Sequence, residues 1–292
     1  MGRAAQKLSM TQPPLSRRIQ KLEREVGVPL FIRQPAGMTL TPAGKRFLTD
    51  AYRISSTVAM AVESARLDNA ELGGTIRAGF TALSTFIVLP RLFKLANAYL
   101  PTVDLEVFER VSPLQIDLIQ RGKIDVGFVR PQPIPADLAY YEIAQTPIVA
   151  VLPSAHPLTK AVGDLELADI ARTPLIRYQH EGSPFLARLH DSAFSRFSTT
   201  TVVEVSQVLS GAGLVAEGFG AMLAPVSVAK LSIPGIVLKR VALPANLRTI
   251  PTWTVVSRAA RGPLVERMLR YRDELSKGLA QETAAQMRSL SC

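Results

Sequence analysis

The chain has 292 residues, of which 47% are hydrophobic, and a formal net charge of +10 at pH 7. This composition excludes a disordered chain and is sufficient for more than one domain. The charge favours an anionic partner, and nucleic acid, an acidic membrane surface or small anions are the candidates. The single cysteine, Cys292, excludes a disulfide framework and a cysteine-based metal site, and it fits a reducing cytoplasm.

The positive charge is concentrated at the N-terminal end. Residues 1–46 contain nine Lys or Arg and two acids, so they carry +7 of the +10. No apolar run reaches the roughly 18 residues of a membrane span, and the N-terminus has no apolar core of a signal peptide. We therefore expect no membrane partner and a cytoplasmic location.

Residues 1–44 predict two short helices followed by a wing. The turn at 9–14 ends one helix and starts another, with Thr11 as N-cap and the prolines in the first turn. The second helix reaches about Glu25 and stops at Gly27. Residues 28–33 and 34–40 then read as two short strands around a turn.

A long helix follows, capped by Thr41 and Pro42. We expect a linker helix over residues 45–72, whose small and apolar positions suit pairing with a second copy of the chain. Alternatively, this helix is a member of a helix bundle within a single chain. From Thr75, β-rich runs alternate with helical stretches. This alternation indicates an α/β domain with mostly parallel strands over residues 75–280, followed by a tail at 281–292.

Several sequence blocks carry a resemblance to a known family. Residues 4–23 (AAQKLSMTQPPLSRRIQKLE), 27–33 (GVPLFIR) and 40–44 (LTPAG) closely resemble the DNA-binding segment of LysR-type transcriptional regulators. The blocks at 76–80 (IRAGF), 122–128 (GKIDVGF), 154–158 (SAHPL) and 214–220 (LVAEGFG) resemble landmarks of that family's effector domain. Within the family the chain is nearest to regulators that sense benzoate- or muconate-like acids.

The resemblance implies a fold and a function. We expect an N-terminal winged helix-turn-helix, a linker helix and a two-lobed α/β effector domain like that of periplasmic binding proteins. Its first lobe would hold about 75–147 and 252–280, and its second about 148–251. Family members begin with a further helix before the position of Gly2. We therefore expect either a start that was set too late or an N-terminally shortened DNA-binding domain.

The helix that begins near Thr11 is the expected recognition helix. Its first residues would meet base edges in the major groove, and basic residues further along and on the wing would hold phosphates. The predicted DNA-binding residues are Gln12, Pro13, Pro14, Ser16, Arg17, Arg18, Lys21 and Arg33. Alternatively, the basic residues of this helix form an exposed, solvated face that does not bind DNA. The expected partners are promoter DNA, a second copy in a dimer or tetramer, and RNA polymerase.

A small organic acid, aromatic or dicarboxylic, is the expected effector. It would bind at strand-to-helix junctions, where backbone N–H groups and hydroxyls accept a carboxylate. The predicted effector-binding residues are Thr81, Ser84, Thr85, Ser112 and Arg130. Ordinary helix caps are the alternative for the hydroxyl residues.

We expect no cofactor, no metal and no catalytic residue. The G-x-G-x-x-A motif at 211–216 lacks the acidic residue that would hold a ribose, and the three histidines are too scattered for a metal site. Two rival readings remain. One is a two-lobed enzyme or receptor without productive DNA binding, and the other is a DNA-binding protein whose second half serves assembly alone.

Overall fold

The computed structural model describes residues 2–34, 37–67, 73–259 and 261–290. The chain divides into two compact units, Met1–Ala59 and Met60–Cys292. Among the described residues, no helix is both long enough and apolar enough to cross a membrane.

The first unit contains a helix-turn-helix and a wing, as the sequence predicts. Its elements in chain order are α1 (Gly2–Lys7), α2 (Gln12–Val26), β1 (Phe31–Gln34), β2 (Gly37–Leu40) and the larger part of α3 (Pro42–Leu67), which continues past Ala59. The strands pair antiparallel, with Phe31 opposite Leu40. Residues 35–36 of the predicted turn and residues 68–72 of the predicted linker lie outside the described residues.

Local signals explain where these helices start and stop. Gly27 follows α2 with φ +79°, a left-handed conformation that glycine adopts without strain, and its N–H donates to the carbonyl of Glu23. The side chain of Thr41 caps α3, because Oγ1 accepts from the N–H of Gly44 at 2.8 Å. Thr11 occupies the predicted N-cap position of α2, although its side chain makes no capping bond.

The second unit alternates strands and helices. Its strands are β3 (Gly74–Phe80), β4 (Val103–Glu109), β5 (Val126–Val129), β6 (Leu138–Pro153), β7 (Leu165–Glu166), β8 (Leu175–Tyr178), β9 (Thr201–Val205), β10 (Met222–Pro225), β11 (Ile236–Lys239), β12 (Val241–Ala242) and β13 (Thr249–Ser257). Its helices are α4 (Ala82–Tyr99), α5 (Ser112–Gln120), α6 (Leu167–Ala171), α7 (Pro184–Phe194), α8 (Val208–Ala216), α9 (Pro263–Arg270) and α10 (Arg272–Ser289), with 3-10 turns at Pro157–Lys160, Val226–Leu231 and Ala245–Leu247.

A mixed sheet of seven strands organises this unit. Its order is β10-β6-β13-β5-β3-β4, and β11 also pairs with β6. Strand β3 is parallel to β4 and β5, whereas β13 is antiparallel to β5 and β6. The expectation of mostly parallel strands is therefore wrong, because the long strands β6 and β13 return in the opposite direction.

Strand β6 belongs to both lobes of the unit. Its first part pairs with β13 as far as Pro147, and its second part, from Ile148 onward, pairs with β10 and β11. The first lobe thus holds β3, β4, β5, β13 and the first part of β6, and the second lobe holds β10, β11 and the second part. The change of partner coincides with the predicted first crossing, although the residue bounds of the lobes stay a prediction.

Helix α10 extends well into the segment expected to be a tail. It continues to Ser289, so residues 281–289 are helical. Glu282 on this helix forms ion pairs with Arg91 of α4 and with Lys230 of the 3-10 turn that follows β10. The C-terminal helix is therefore anchored to elements of both lobes.

Candidate functional sites

The predicted DNA-binding residues lie on the surface of α2 and on the wing. The exposed ones are Gln12, Pro13, Arg17, Arg18, Lys21 and Arg33. Pro14 and Ser16 are half-buried, and Leu15 between them points into the core. Arg33 Nη2 lies 3.5 Å from Ser16 Oγ, so the wing and the helix meet at this point. Most of the predicted cations are thus free to meet a phosphate backbone.

Glu23 holds the wing in place, a role that the sequence analysis missed. Its Oε1 accepts from the backbone N–H groups of Leu30 at 2.8 Å and Phe31 at 3.0 Å. Thr41 Oγ1 donates to the carbonyl of Pro29 at 2.8 Å on the other side. Glu23 is one of two carboxylates in a mainly basic helix, and the sequence alone does not distinguish it from the exposed Glu25.

Gly44 allows α3 to approach the wing closely. A Cβ at this position would lie 2.0 Å from the carbonyl oxygen of Leu30, so only glycine fits without moving the backbone. Leu30 itself is buried. The wing is therefore fixed against α2 by Glu23 and against α3 by Gly44.

A cavity of about 180 Å³ lies between the lobes of the second unit. The N-terminal ends of four helices line it, with Thr81 before α4, Ser112 at the start of α5, Ser183 before α7 and Gln207 before α8. Backbone N–H groups and the positive end of the helix dipole favour an anion at such ends. The geometry thus suits a small negatively charged ligand.

Three of the five predicted effector-binding residues line the cavity, namely Thr81, Ser112 and Arg130. Ser84 and Thr85 are not among the lining residues. The hydroxyl of Ser84 accepts from the N–H of Thr81 at 2.8 Å and donates to its carbonyl at 2.9 Å. Thr85 Oγ1 donates to the same carbonyl at 3.1 Å. These two side chains shape the first turn of α4 and thereby position Thr81.

Arg130 carries an unneutralised charge into the cavity. Its Nη1 donates to Thr252 Oγ1 at 2.8 Å, and its backbone N–H donates to Ser112 Oγ at 3.0 Å. Within the part of the chain that the structure describes, no carboxylate lies within 4.0 Å of the guanidinium. Burial lowers the pKa of Arg130 to about 10, so the group stays protonated at neutral pH. A charge held in this way favours a bound anion.

The wall contributed by the second lobe was missed by the sequence analysis. It contains Ser183, Phe185 and Gln207. Ser183 Oγ donates to the carbonyl of Ser206 at 2.7 Å, which ties the loop before α7 to the loop before α8. Ser183 followed by a proline repeats the pattern that had singled out Ser112, so a signal for this wall was present.

Tyr178 and His190 form a buried pair in the second lobe, with ring centroids 5.0 Å apart. Tyr178 donates to the carbonyl of Leu223 at 3.1 Å, and burial raises the pKa of its phenol despite the opposing charge of Arg130. Burial lowers the pKa of His190 to about 4. Both side chains are therefore neutral at pH 7. Among the described residues, no group of three or more His, Cys, Asp or Glu side chains could hold a metal ion.

Two family models match the chain. The model "Bacterial regulatory helix-turn-helix protein, lysR family" matches residues 1–45, and the model "LysR substrate binding domain" matches residues 69–275. The HTH-type transcriptional regulator IlvR of Caulobacter vibrioides is 32% identical over 274 residues, which cover 92% of this chain and 90% of that protein.

The regulator BenM of Acinetobacter baylyi is 30% identical over 234 residues, which cover 79% of this chain and 77% of BenM. The crystal structure of full-length BenM matches 94% of this chain and 91% of its own with a TM-score of 0.62 at 26% identity. Full-length CbnR complexed with its target DNA has the same fold, with a TM-score of 0.62 at 23% identity over 94% of this chain and 93% of its own.

These matches cover both units that the structure describes. The helix-turn-helix with its wing corresponds to the first family model, and the two-lobed α/β unit with its cavity corresponds to the second. Relatives that match over most of their length are named as transcriptional regulators. The chain therefore belongs to the LysR-type transcriptional regulators, with a DNA-binding and an effector-binding domain, and is not an enzyme.

Proposed function

We propose that this protein binds promoter DNA through α2 and the wing, and that a small organic acid in the cavity alters its promoter binding or its activation of transcription. The observation that carries the proposal is the protonated guanidinium of Arg130, which faces the cavity without a carboxylate partner. An unpaired charge away from water costs free energy, and an acid would remove that cost. Thr81 and Ser112 would add hydrogen bonds to the same carboxylate.

The DNA-binding surface divides into two kinds of contact. Gln12, Ser16 and Arg17 would reach base edges from the first two turns of α2, since Gln and Arg pair with base edges in bidentate fashion. Pro13 and Pro14 would shape the start of the helix beside them. Arg18, Lys21 and Arg33 would hold phosphates, which gives affinity that falls with salt.

A second copy of the chain would complete the DNA-binding form. On α3, Ile54, Val58 and Val62 follow one another at intervals of four residues and are 65%, 59% and 49% exposed. A stripe of this kind on a long helix suits pairing with the same stripe of a partner. We therefore propose a dimer through α3 and a tetramer built from dimers, acting on RNA polymerase in the bacterial cytoplasm.

DNA binding is tested with the protein's own promoter and a random duplex of the same length, by fluorescence anisotropy at several salt concentrations. We expect tighter binding to the promoter and a strong salt dependence. Arg18→Gln should reduce the slope of log affinity against log salt by about 1, because one phosphate contact is lost. Arg196→Gln removes an equal charge from the exposed surface of the second unit and should leave the slope unchanged. Equal affinity for both duplexes would contradict the DNA-reading proposal.

The effector is tested separately, by calorimetric titration of the whole chain with organic acids. We expect an acid that binds wild-type protein to lose about tenfold or more in affinity in Arg130→Gln, because a charge-assisted contact is lost. Acid binding that is unchanged by Arg130→Gln would contradict the assigned site. The alternative of a receptor or enzyme without DNA binding is not favoured, because the first 45 residues match the helix-turn-helix model of the family.

A further inference from the structure

We infer that the cavity selects a compact acid with a single negative charge, which Arg130 neutralises, and with an apolar body that packs on the wall of the second lobe. This inference rests on the proposed function and narrows it, because it favours monocarboxylates over dicarboxylates. It also gives the ligand a direction, with its charged end toward the first lobe.

The charges around the cavity lie on one side. Its charged lining residues are Glu109, Arg110 and Arg130, and all three belong to the first lobe. Arg110 is exposed, and its Nη1 donates to the carbonyl of Glu109 at 2.7 Å. Glu109 and Arg110 are adjacent, both are exposed to solvent, and their charges are opposite. Their electric fields therefore largely cancel at the cavity. Arg130 is the one half-buried cation in the described lining, and no carboxylate pairs with it among the described residues.

The opposite wall is electrically neutral. The second lobe contributes Gly182, Ser183, Pro184, Phe185, Leu186, Gln207, Val208 and Pro225 to the lining. A carboxylate at this wall would lose its hydration and meet only the N-terminal ends of α7 and α8, which attract an anion less than Arg130 together with the helix ends of the first lobe. Pro184 has no N–H to donate, and the hydroxyl of Ser183 already donates to Ser206. A second carboxylate would therefore be held more weakly here than the first carboxylate beside Arg130.

The size and the apolar lining of the cavity define the body of the ligand. An apolar cavity of about 150 Å³ accommodates benzene, and this one measures about 180 Å³. Phe185, Leu186 and Val208 on the second lobe face Leu83 and Pro113 on the first. The space therefore suits one ring, or a chain of similar size, with one carboxylate attached.

The test compares two pairs of compounds by calorimetric titration of the whole chain. Within each pair the carbon skeleton is the same and the charge differs. Hexanoate and adipate have six carbons each and carry one and two carboxylates, whereas benzoate and benzamide share a ring and differ by one charge. We expect hexanoate to bind at least about tenfold more tightly than adipate, and benzoate at least about tenfold more tightly than benzamide. Arg130→Gln should abolish the preference for benzoate over benzamide.

A variant that gains affinity for a dicarboxylate provides a second test of the single-charge inference. Gln207→Lys places a cation on the neutral wall without removing a cap, because the side chain of Gln207 makes no capping bond to α8. This variant should bind adipate more tightly than hexanoate. Leu209→Lys is the matched control, since Leu209 lies on the same helix, is 52% exposed and does not line the cavity. It should keep the preference for hexanoate.

The two possible failures are distinguishable. Adipate that binds the wild-type protein as tightly as hexanoate would overturn the single-charge inference and leave acid sensing intact. An absence of binding by every acid in the panel would overturn the proposed acid sensing itself, and this inference with it.

Discussion

Arg130 Nη1 donates to Thr252 Oγ1 at 2.8 Å, so the cation in the cavity is bonded to the strand that leads back from the second lobe to the first. Thr252 is buried, and β13 has a register shift immediately after it. The group that would meet the effector is therefore held by a residue at a crossing between lobes. This bond links the cation directly to the residue after which β13 changes its register.

The first prediction concerns this bond. Thr252→Val keeps the volume of the side chain but removes the acceptor, so the guanidinium of Arg130 loses its hydrogen-bonded position. We expect acid affinity to fall by about threefold to tenfold, because a charge-assisted hydrogen bond no longer orients the cation. Calorimetric titration with benzoate measures this change. Thr249→Val is the control, because Thr249 bonds Gln145 Oε1 at 2.7 Å on the exposed part of the same strand. An equal loss in both variants would contradict the role of Thr252.

The second prediction concerns the wing. Glu23→Ala removes the carboxylate that accepts from Leu30 and Phe31, and we expect the free energy of unfolding of the DNA-binding unit to fall by about 1–3 kcal/mol. We also expect weaker promoter binding, although the variant is more positively charged. Fluorescence anisotropy and urea denaturation measure the two effects.

Glu25→Ala provides the control for the wing experiment. Glu25 is exposed, and its carboxylate lies 3.7 Å from Lys21 in a solvated pair, which is worth little. This variant gains the same charge without disturbing the wing, so it should bind DNA as tightly as wild type or more tightly. Tighter binding by both variants would show that Glu23 acts through charge alone.

The third prediction concerns close packing in the first lobe. A Cβ at Gly127 would lie 2.9 Å from Gln115 Oε1 and 3.0 Å from Ile119 Cδ1. Gly127→Ala should therefore lower the free energy of unfolding by about 1–3 kcal/mol, because the buried side chains of Gln115 and Ile119 must shift. Gly213→Ala on α8 is the control, since a Cβ there meets nothing within 4 Å. That variant should be neutral or stabilising in urea denaturation, and a loss equal to that of Gly127→Ala would contradict the packing argument.

The fourth prediction concerns pH. The N–H of Leu223 donates to Nε2 of His190 at 3.1 Å, and burial lowers the pKa of His190 from 6.5 to about 4. Below pH 6.5 the unfolded chain binds a proton that the folded chain does not, so stability is lost as pH falls from 6.5 toward 4. This group should cost about 1.4 kcal/mol between pH 7.5 and pH 5.5.

Urea denaturation at the two pH values measures this loss. His190→Gln retains a hydrogen-bonding side chain but does not titrate, so its stability should change less with pH than that of wild type. His180→Gln, at an exposed histidine, should retain the wild-type loss. An unchanged pH dependence in His190→Gln would show that other groups cause it.

Elements with local signals were predictable from the sequence. The prolines at the start of α2, Gly27 at its end and Thr41 before α3 each act within one turn of chain, and the structure places all of these boundaries as predicted. Within β6 the sequence predicts a β-rich run over Ile148–Leu152 alone, because the pairing of the first part with β13 is long-range. Pro147 lies where β6 changes its partner, and a proline at this position argues against a continuous strand in the sequence.

The cavity was predictable in part. Ser112 and Arg130 follow strands at the edge of an α/β sheet where ligands bind, and a strand-to-helix pattern identifies such positions. The second-lobe wall with Phe185 and Gln207 depends on how the lobes face each other, which no local pattern encodes. Likewise, the sequence does not show whether the hydroxyl of Ser84 points into the cavity or back to its own turn.

The continuity of β6 has a mechanical consequence. The two ladders of this strand lie in different lobes, because pairing with β13 ends at Pro147 and pairing with β10 begins at Ile148. A bend between Pro147 and Ile148 would therefore change the relative position of the lobes without breaking either ladder. A ligand that bridges the lobes would thus act on a hinge within a single strand, whose backbone leads directly from one lobe to the other.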